Sequence, residues 1–160
     1  MSDVRYDQYG FVIAPKPPRP KANTGSLLLM VGGAAHVIGV FLTWYSGAGV
    51  ESLKGMDTFA GPDGVGDLPN PGLFWLVIGS LLVVVGAITY FAGRIFAVAI
   101  IAVFAAIGAL FDAILGFGAV KNQRFIAAGD VGPGVIVGTV AALVAIAGSI
   151  QVLAKRRSVG

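Results

Sequence analysis

Two ionisable side chains lie inside long apolar runs of this sequence, where they could do chemistry within a membrane. His36 lies in a run near the N-terminus, and Asp112 lies in the 23-residue run from Ile95 to Phe117. About 20 apolar residues are enough to cross a bilayer. Because ionisable groups there are costly and often belong to proton or substrate pathways, both residues are candidate functional sites.

Glycine residues flank both ionisable groups at helical spacing. Residues three and four apart share one face of a helix. The two faces combine small and polar residues: Gly32, His36, Gly39 and Thr43 on the first run, and Gly108, Asp112 and Gly116 on the second. Small residues let helices approach closely in lipid, so we expect both faces to contact protein.

Three interpretations of these polar residues are open. They could form hydrogen bonds that specify helix packing, they could dock a partner subunit, or they could belong to a proton or substrate path. A path usually needs a chain of ionisable groups, and these runs supply two. A direct pair between His36 and Asp112 is compatible with their depths, as is contact of Asp112 with Thr43, Lys121 or water. One His and one Asp fall short of a usual metal ligand set.

The composition predicts an integral membrane protein. Hydrophobic residues make up 56% of the 160 residues, charged residues make up 12%, and mean hydropathy is +0.86. Soluble domains carry about twice that charged fraction. Cysteine is absent, which excludes disulfides and thiol chemistry. Because no nucleophile elbow, phosphate loop or zinc-protease helix occurs either, we expect a protein that is not an enzyme and has no cofactor.

The apolar runs predict an all-α bundle of four transmembrane helices between two basic tails. The predicted segments are a Pro-rich tail at 1–25, a bundle at 26–154 with spans at 26–45, 72–92, 95–117 and 133–154, and a tail at 155–160. Secondary structure in the moderate first loop, 46–71, should be short because Gly and Pro abound there. Trp44 and Tyr45 suit a membrane interface at the end of the first span.

Basic residues predict the orientation of this bundle. Eight of the eleven Lys and Arg residues lie in the two tails and the turn at Arg94, whereas Lys54, Lys121 and Arg124 lie on the opposite side. Cytoplasmic loops carry the excess of Lys and Arg, so we expect both termini in the cytoplasm and the protein in the plasma membrane. The basic tails should contact anionic lipid headgroups, and nucleic acid is not an expected partner.

The fourth span carries its own packing signal. Gly134, Gly138 and Ala142 form a ladder of small residues four apart. Such ladders are typical of close helix contacts, within the bundle or with a partner.

The overall layout resembles a group of small membrane proteins. Four spans, a basic Pro-rich tail, a first loop reading TWYSG…GMDTF and a KRR tail look like the small four-helix membrane proteins common in actinobacteria. Some accessory subunits of actinobacterial respiratory assemblies are of this kind. The resemblance implies a non-enzymatic accessory or assembly subunit with other integral membrane subunits as partners. The alternative is a small transporter, carrier or sensor that uses His36 and Asp112.

Overall fold

Four long helices form the body of the protein. The computed structural model describes residues 5–6, 8–9, 12–13, 23–47, 50–93 and 95–154. Within them the helices are α1 (Asn23–Phe41), α2 (Gly72–Phe91), α3 (Phe96–Ile126) and α4 (Pro133–Ala154). Each is long and apolar enough to cross a membrane. The predicted mostly helical architecture with four candidate spans is therefore confirmed.

The predicted tails fall largely outside the described residues. From the N-terminal tail the structure describes an antiparallel pair of two-residue strands, β1 (Arg5–Tyr6) and β2 (Val12–Ile13). The Pro-rich basic stretch at 15–21 and the C-terminal tail at 155–160 lie outside the described residues.

Close backbone contacts join α1 to its two neighbours. α1 packs between α2 and α4, and α3 closes the bundle on the opposite side against the same two helices. A methyl group added at Gly33 would lie 2.6 Å from the carbonyl oxygen of Gly79 on α2. In lipid the hydrophobic effect does not drive helices together, so close van der Waals packing of this kind is a main source of helix association.

Helix α3 carries mostly small residues on its buried face and large residues on its exposed face. Six alanines lie on the buried face: Ala99, Ala102, Ala105, Ala106, Ala109 and Ala113. Its exposed face carries large apolar side chains, among them Phe104 and Phe111. This arrangement suits a helix bundle whose outer surface contacts hydrocarbon.

A small β cap covers the end of the bundle where α1 ends. Both loops contribute to it, because β3 (Thr43–Gly47) lies between β4 (Val50–Lys54) and β7 (Gly129–Val131) in one antiparallel sheet. A second pair joins β5 (Phe59–Ala60) to β6 (Asp67–Leu68). The secondary structure of the first loop is short, in agreement with the prediction from its Gly and Pro content.

Hydrogen bonds attach the β cap to the helix ends. Helix termini leave backbone groups without partners inside the helix. At the end of α1, Gly39 O accepts a hydrogen bond from Trp44 Nε1 (2.8 Å), and Val40 O accepts one from Gly55 N (3.0 Å). At the start of α2, Gly72 N donates to Gly55 O (2.7 Å). The cap therefore supplies the partners that the helix ends lack.

The first helix ends before residue 45, the predicted end of the first span. α1 ends at Phe41, and Thr43 begins β3, so Thr43 does not share a helical face with His36. Trp44 and Tyr45 are buried rather than placed at a lipid interface. The physical reason is the β cap: Thr, Trp and Tyr favour strands, and Tyr45 Oη donates a hydrogen bond to Ala127 O (2.7 Å).

The third helix continues beyond residue 117, the predicted end of the third span. α3 continues nine residues further to Ile126, a length of about 14 Å. One face of this extension is buried under the cap through Ala119 and Val120. Gln123 Oε1 accepts a hydrogen bond from Ala60 N (2.9 Å). The apolar run ends where the lipid should end, whereas contact with the cap keeps the chain helical beyond it.

Candidate functional site

His36 lies at the meeting point of three helices. Its side chain, on α1, is fully buried and stacks on the ring of Trp75 from α2, with ring centroids 4.5 Å apart and an interplanar angle of 12°. Nδ1 lies 3.1 Å from Gly138 O on α4. Because a carbonyl oxygen only accepts, Nδ1 is the nitrogen that donates, and Nε2 of the neutral ring is an acceptor.

Trp75 occupies the centre of this arrangement. Its Nε1 donates a hydrogen bond to the main-chain oxygen of Asp112 on α3 (2.8 Å). The ring of Trp44, from β3, lies 4.5 Å from the Trp75 ring at an angle of 48°. We call His36, Trp44, Trp75 and Asp112 the tryptophan centre. It joins all four helices to the β cap.

Two glycines make the slot that accepts Trp75. A Cβ atom at Gly138 would overlap the Trp75 ring, and one at Gly116 would lie 2.7 Å from it. Gly134 has the same role for Trp44, whose Cδ1 would lie 2.5 Å from an added Cβ. The indole rings therefore pack directly against helix backbone.

Two polar atoms in the tryptophan centre have no hydrogen-bond partner among the described residues. Nε2 of His36 and Oδ2 of Asp112 are both buried, and the whole Asp112 residue is only 7% exposed. His36 and Asp112 are not hydrogen-bonded to each other: one contacts the face of the Trp75 ring, and the other binds its N–H through the main chain. Buried polar atoms without partners are rare in folded proteins and usually have a specific cause.

The predicted packing glycines lie at contacts within this chain. Gly32 lies against Ala141 and Ala145 of α4, and Gly39 lies against Gly134 and Gly138 of the same helix. Gly108 is half-buried, and a Cβ there would make ordinary contact with Ile78 of α2. The faces that carry His36 and Asp112 are thus turned toward neighbouring helices of this protein. Asp112 makes no described bond to Thr43 or Lys121.

Sequence reasoning missed both tryptophans of the centre. Trp44 was predicted to lie at a lipid interface and no role was predicted for Trp75, whereas both are buried, Trp75 between α1, α3 and α4. A signal was available in hindsight, because Gly116 and Gly138 lie on two other helices at the same depth as Trp75. The pairing of a large ring with two distant glycines becomes visible only when the helices are packed.

The opposite end of the bundle has a simpler polar contact. Ser26 Oγ on α1 donates a hydrogen bond to Thr89 Oγ1 on α2 (2.9 Å), and the Thr89 hydroxyl also reaches Val85 O (3.0 Å). Both hydroxyl groups therefore have partners. This contact supports the packing of α1 on α2 near the start of α1.

The chemical capacity of the tryptophan centre is narrow. It offers one imidazole acceptor and one carboxyl oxygen in an aromatic environment. Among the described residues no group of three or more His, Cys, Asp and Glu side chains is placed to hold a metal ion. A groove of about 340 Å³ between α1 and α4 is lined by apolar residues, such as Val31, Ala35 and Val140, and includes neither His36 nor Asp112. The centre suits helix packing or the binding of a hydrogen-bond donor.

The chain matches no family model, and searches of curated proteins and of solved structures likewise find no significant match.

Proposed function

We propose that this protein is a non-enzymatic accessory or assembly subunit of a larger membrane protein complex, with respiratory assemblies as one class of such complexes. The observation that carries the proposal is the exposure of apolar residues in the β cap region. Val65 is 76% exposed, and Ile126, at the end of α3, is 61% exposed. Lipid covers such residues on the membrane-spanning faces, but no lipid covers the cap. We infer that a protein partner covers Val65 and Ile126.

The local geometry holds Val65 outward. Residues 61–66 form a tight loop in which Gly61 N donates a hydrogen bond to Gly66 O (2.9 Å). The adjoining 3-10 turn, Pro62–Gly64, packs against α3, the helix that ends at Ile126. Isolated exposed apolar residues are common on protein surfaces. Here a closed loop that packs against α3 holds Val65, and α3 itself carries Ile126. Because one helix supports both residues, they favour a defined docking surface.

The polar groups of the spans support the same proposal. The Ser26–Thr89 contact joins α1 to α2, and the His36–Gly138 contact joins α1 to α4. The bond from Trp75 Nε1 to the main chain of Asp112 joins α2 to α3. These groups link helices, as polar residues in membrane bundles commonly do. We therefore assign the proposed partner contact to the outer surface of the bundle.

The orientation is part of the proposal. Both termini lie in the cytoplasm and the β cap lies outside the plasma membrane, because the tails and the turn at Arg94 carry most of the Lys and Arg residues.

One labelling experiment tests both orientation and partner. The chain has no cysteine, so Val65→Cys introduces a single thiol. A membrane-impermeant maleimide that carries a photo-crosslinker should label this variant in intact cells. It should not label Ala92→Cys, an exposed position in the turn at the opposite end of the bundle.

Illumination of the labelled Val65→Cys protein should then cross-link it to one membrane protein. The same protein should co-purify with the wild-type chain in a stable ratio in mild detergent. Recovery of the monomer alone, without an adduct, would contradict the proposed function. Labelling of Ala92→Cys instead of Val65→Cys would reverse the orientation.

A carrier or sensor is the second candidate, favoured by the two unpartnered atoms of the tryptophan centre. In that case the double variant His36→Leu/Asp112→Leu should lose the cellular phenotype of the gene while the purified protein remains folded. A wild-type phenotype of this variant would exclude the second candidate.

A further inference from the structure

The extension of α3 carries two basic residues to the outer edge of the lipid headgroups. Lys121 follows Phe96, the first residue of α3, by 25 residues, which is about 37 Å along a helix. The hydrocarbon layer is about 30 Å thick, and headgroup regions bring the bilayer to about 40–45 Å. With Phe96 at the start of the hydrocarbon, the headgroup layer on the cap side spans about 30–37 Å along the helix. Lys121 therefore lies at the outer edge of this layer, and Arg124 lies one helical turn beyond it, within reach of its long side chain.

Both basic side chains are on the face of α3 that turns away from the cap. Lys121 and Arg124 are exposed, whereas Val120 and Gln123 are buried under the cap. The face below Lys121 continues into the membrane through Phe117, four residues earlier, which is an exposed apolar residue. Residues at this spacing lie one above the other on a helix. The positive charge of Lys121 therefore lies next to the lipid-facing apolar surface of α3.

The space between the basic residues and the apolar surface is open. A Cβ atom at Gly118 would meet no other atom within 4 Å. Neither Lys121 nor Arg124 forms an ion pair with an acidic side chain in the described part of the chain. Arg124 also lies in the last turn of α3, where a cation interacts favourably with the helix dipole. The helix dipole explains why a cation is favourable at position 124, but it explains neither the cation at position 121 nor the open backbone at Gly118.

We propose that Lys121 and Arg124 bind the headgroup phosphate of an anionic phospholipid in the leaflet on the cap side, and that the bare backbone at Gly118 leaves room for this lipid. The acyl chain of this lipid lies along Phe117 and Ile114. Arg binds phosphate through two parallel hydrogen bonds, and Lys adds a second positive charge. The site lies on the cap side, whereas the basic tails adjoin the start of α1 and the end of α4 at the opposite end of the bundle. It does not depend on the accessory-subunit proposal.

Native mass spectrometry of the full-length protein in detergent tests this site. Titration with phosphatidylglycerol and, separately, phosphatidylcholine gives a Kd for each lipid. We expect Lys121→Gln and Arg124→Gln each to weaken phosphatidylglycerol binding about fivefold, and the double variant about 25-fold, since a basic residue near an anionic surface contributes about 1 kcal/mol. Phosphatidylcholine binding should change much less.

Lys54→Gln is the matched control because it removes an exposed cation on β4 while leaving α3 unchanged. It should retain wild-type lipid binding. Gly118→Leu tests the shape of the site without removing charge, and it should weaken phosphatidylglycerol binding with an unchanged thermal unfolding midpoint.

Three results would overturn the proposal. They are an unchanged phosphatidylglycerol Kd in the Lys121→Gln/Arg124→Gln variant, equal loss of binding in the Lys54→Gln control, and full displacement of the lipid by millimolar inorganic phosphate. The last would show a site for free phosphate. If Gly118→Leu binds like wild type, the assignment of the bare backbone to the site is wrong.

Discussion

The two ends of the helix bundle treat their polar groups differently. Near the start of α1, the hydroxyl groups of Ser26 and Thr89 bond to each other, and Thr89 also bonds to a helix carbonyl. Under the β cap, His36 Nε2 and Asp112 Oδ2 are buried without partners. Both ends are tightly packed, so the difference lies in hydrogen bonding rather than in packing density.

The difference follows from the size of the side chains that each end contains. A small hydroxyl can rotate to reach a carbonyl one turn earlier in its own helix. The imidazole of His36 has no such freedom, because stacking on Trp75 and the bond to Gly138 O fix its ring. At the capped end, aromatic packing determines where the polar atoms lie, and only some of these atoms reach a hydrogen-bond partner.

Gly138→Ala should have the largest effect, because the new methyl group would overlap the Trp75 ring. Overpacking of a core costs about 1–3 kcal/mol and sometimes more, which exceeds the gain of about 1 kcal/mol from the helix propensity of Ala. Unfolding by SDS in mixed micelles, followed by tryptophan fluorescence, measures the change. The signal is local, because Trp44 and Trp75 are the only tryptophans.

Gly118→Ala is the control for this comparison. It makes the same change in α3, where the added methyl group meets open space. Its stability should equal or exceed that of the wild type. Equal stability of the Gly138 and Gly118 variants would contradict the slot that the structure gives to Trp75.

Ser26→Ala should have a smaller effect at the other end of the bundle. It removes the bond to Thr89 while Thr89 keeps its carbonyl partner. Hydrogen bonds between membrane helices contribute about 0.6 kcal/mol on average, and we expect a loss of that size in the free energy of unfolding. Thr24→Ala, at an exposed position two residues earlier, should leave stability unchanged. Equal losses in the two variants would mean that the Ser26–Thr89 bond contributes nothing specific.

Asp112→Leu should have the smallest effect on stability, and its sign should differ from that of Ser26→Ala. The substitution removes a buried oxygen without a partner, while the bond from Trp75 Nε1 persists because its acceptor is the main chain. Replacing such a group by an apolar one of similar size is commonly neutral or stabilising. The same SDS titration measures it, with Asp112→Asn as the polar control. A loss above about 1 kcal/mol would show that the carboxyl has a partner in the membrane.

The sequence predicted the helices best where hydrophobicity alone determines their limits. α2 and α4 end within one residue of the predicted spans, because a run of apolar residues bounded by Pro, Gly or charge has few alternatives to a membrane helix. The end of α1 and the extension of α3 were mispredicted. In both places the chain leaves the hydrocarbon, and contacts with the β cap decide its conformation.

For the candidate site, the sequence predicted the ingredients and left their arrangement open. His36 and Asp112 were identifiable as intramembrane polar residues, and glycines at helical spacing indicated that their faces contact protein. Trp75 was not identifiable, because its neighbours come from three other helices. Lys121 and Arg124 fall between the predicted third and fourth spans, so their common helical face became visible only with the extension of α3 through Ile126.

The sequence by itself determined that this chain has four apolar helices long enough to cross a membrane. The physical reason is that backbone polar groups in hydrocarbon must be satisfied within each segment, so hydropathy and length suffice. Only the tertiary structure decided that two tryptophans lie in glycine slots, that His36 and Asp112 meet through Trp75, and that both loops form one sheet. Those features depend on pairings between residues distant in sequence, which no local pattern encodes.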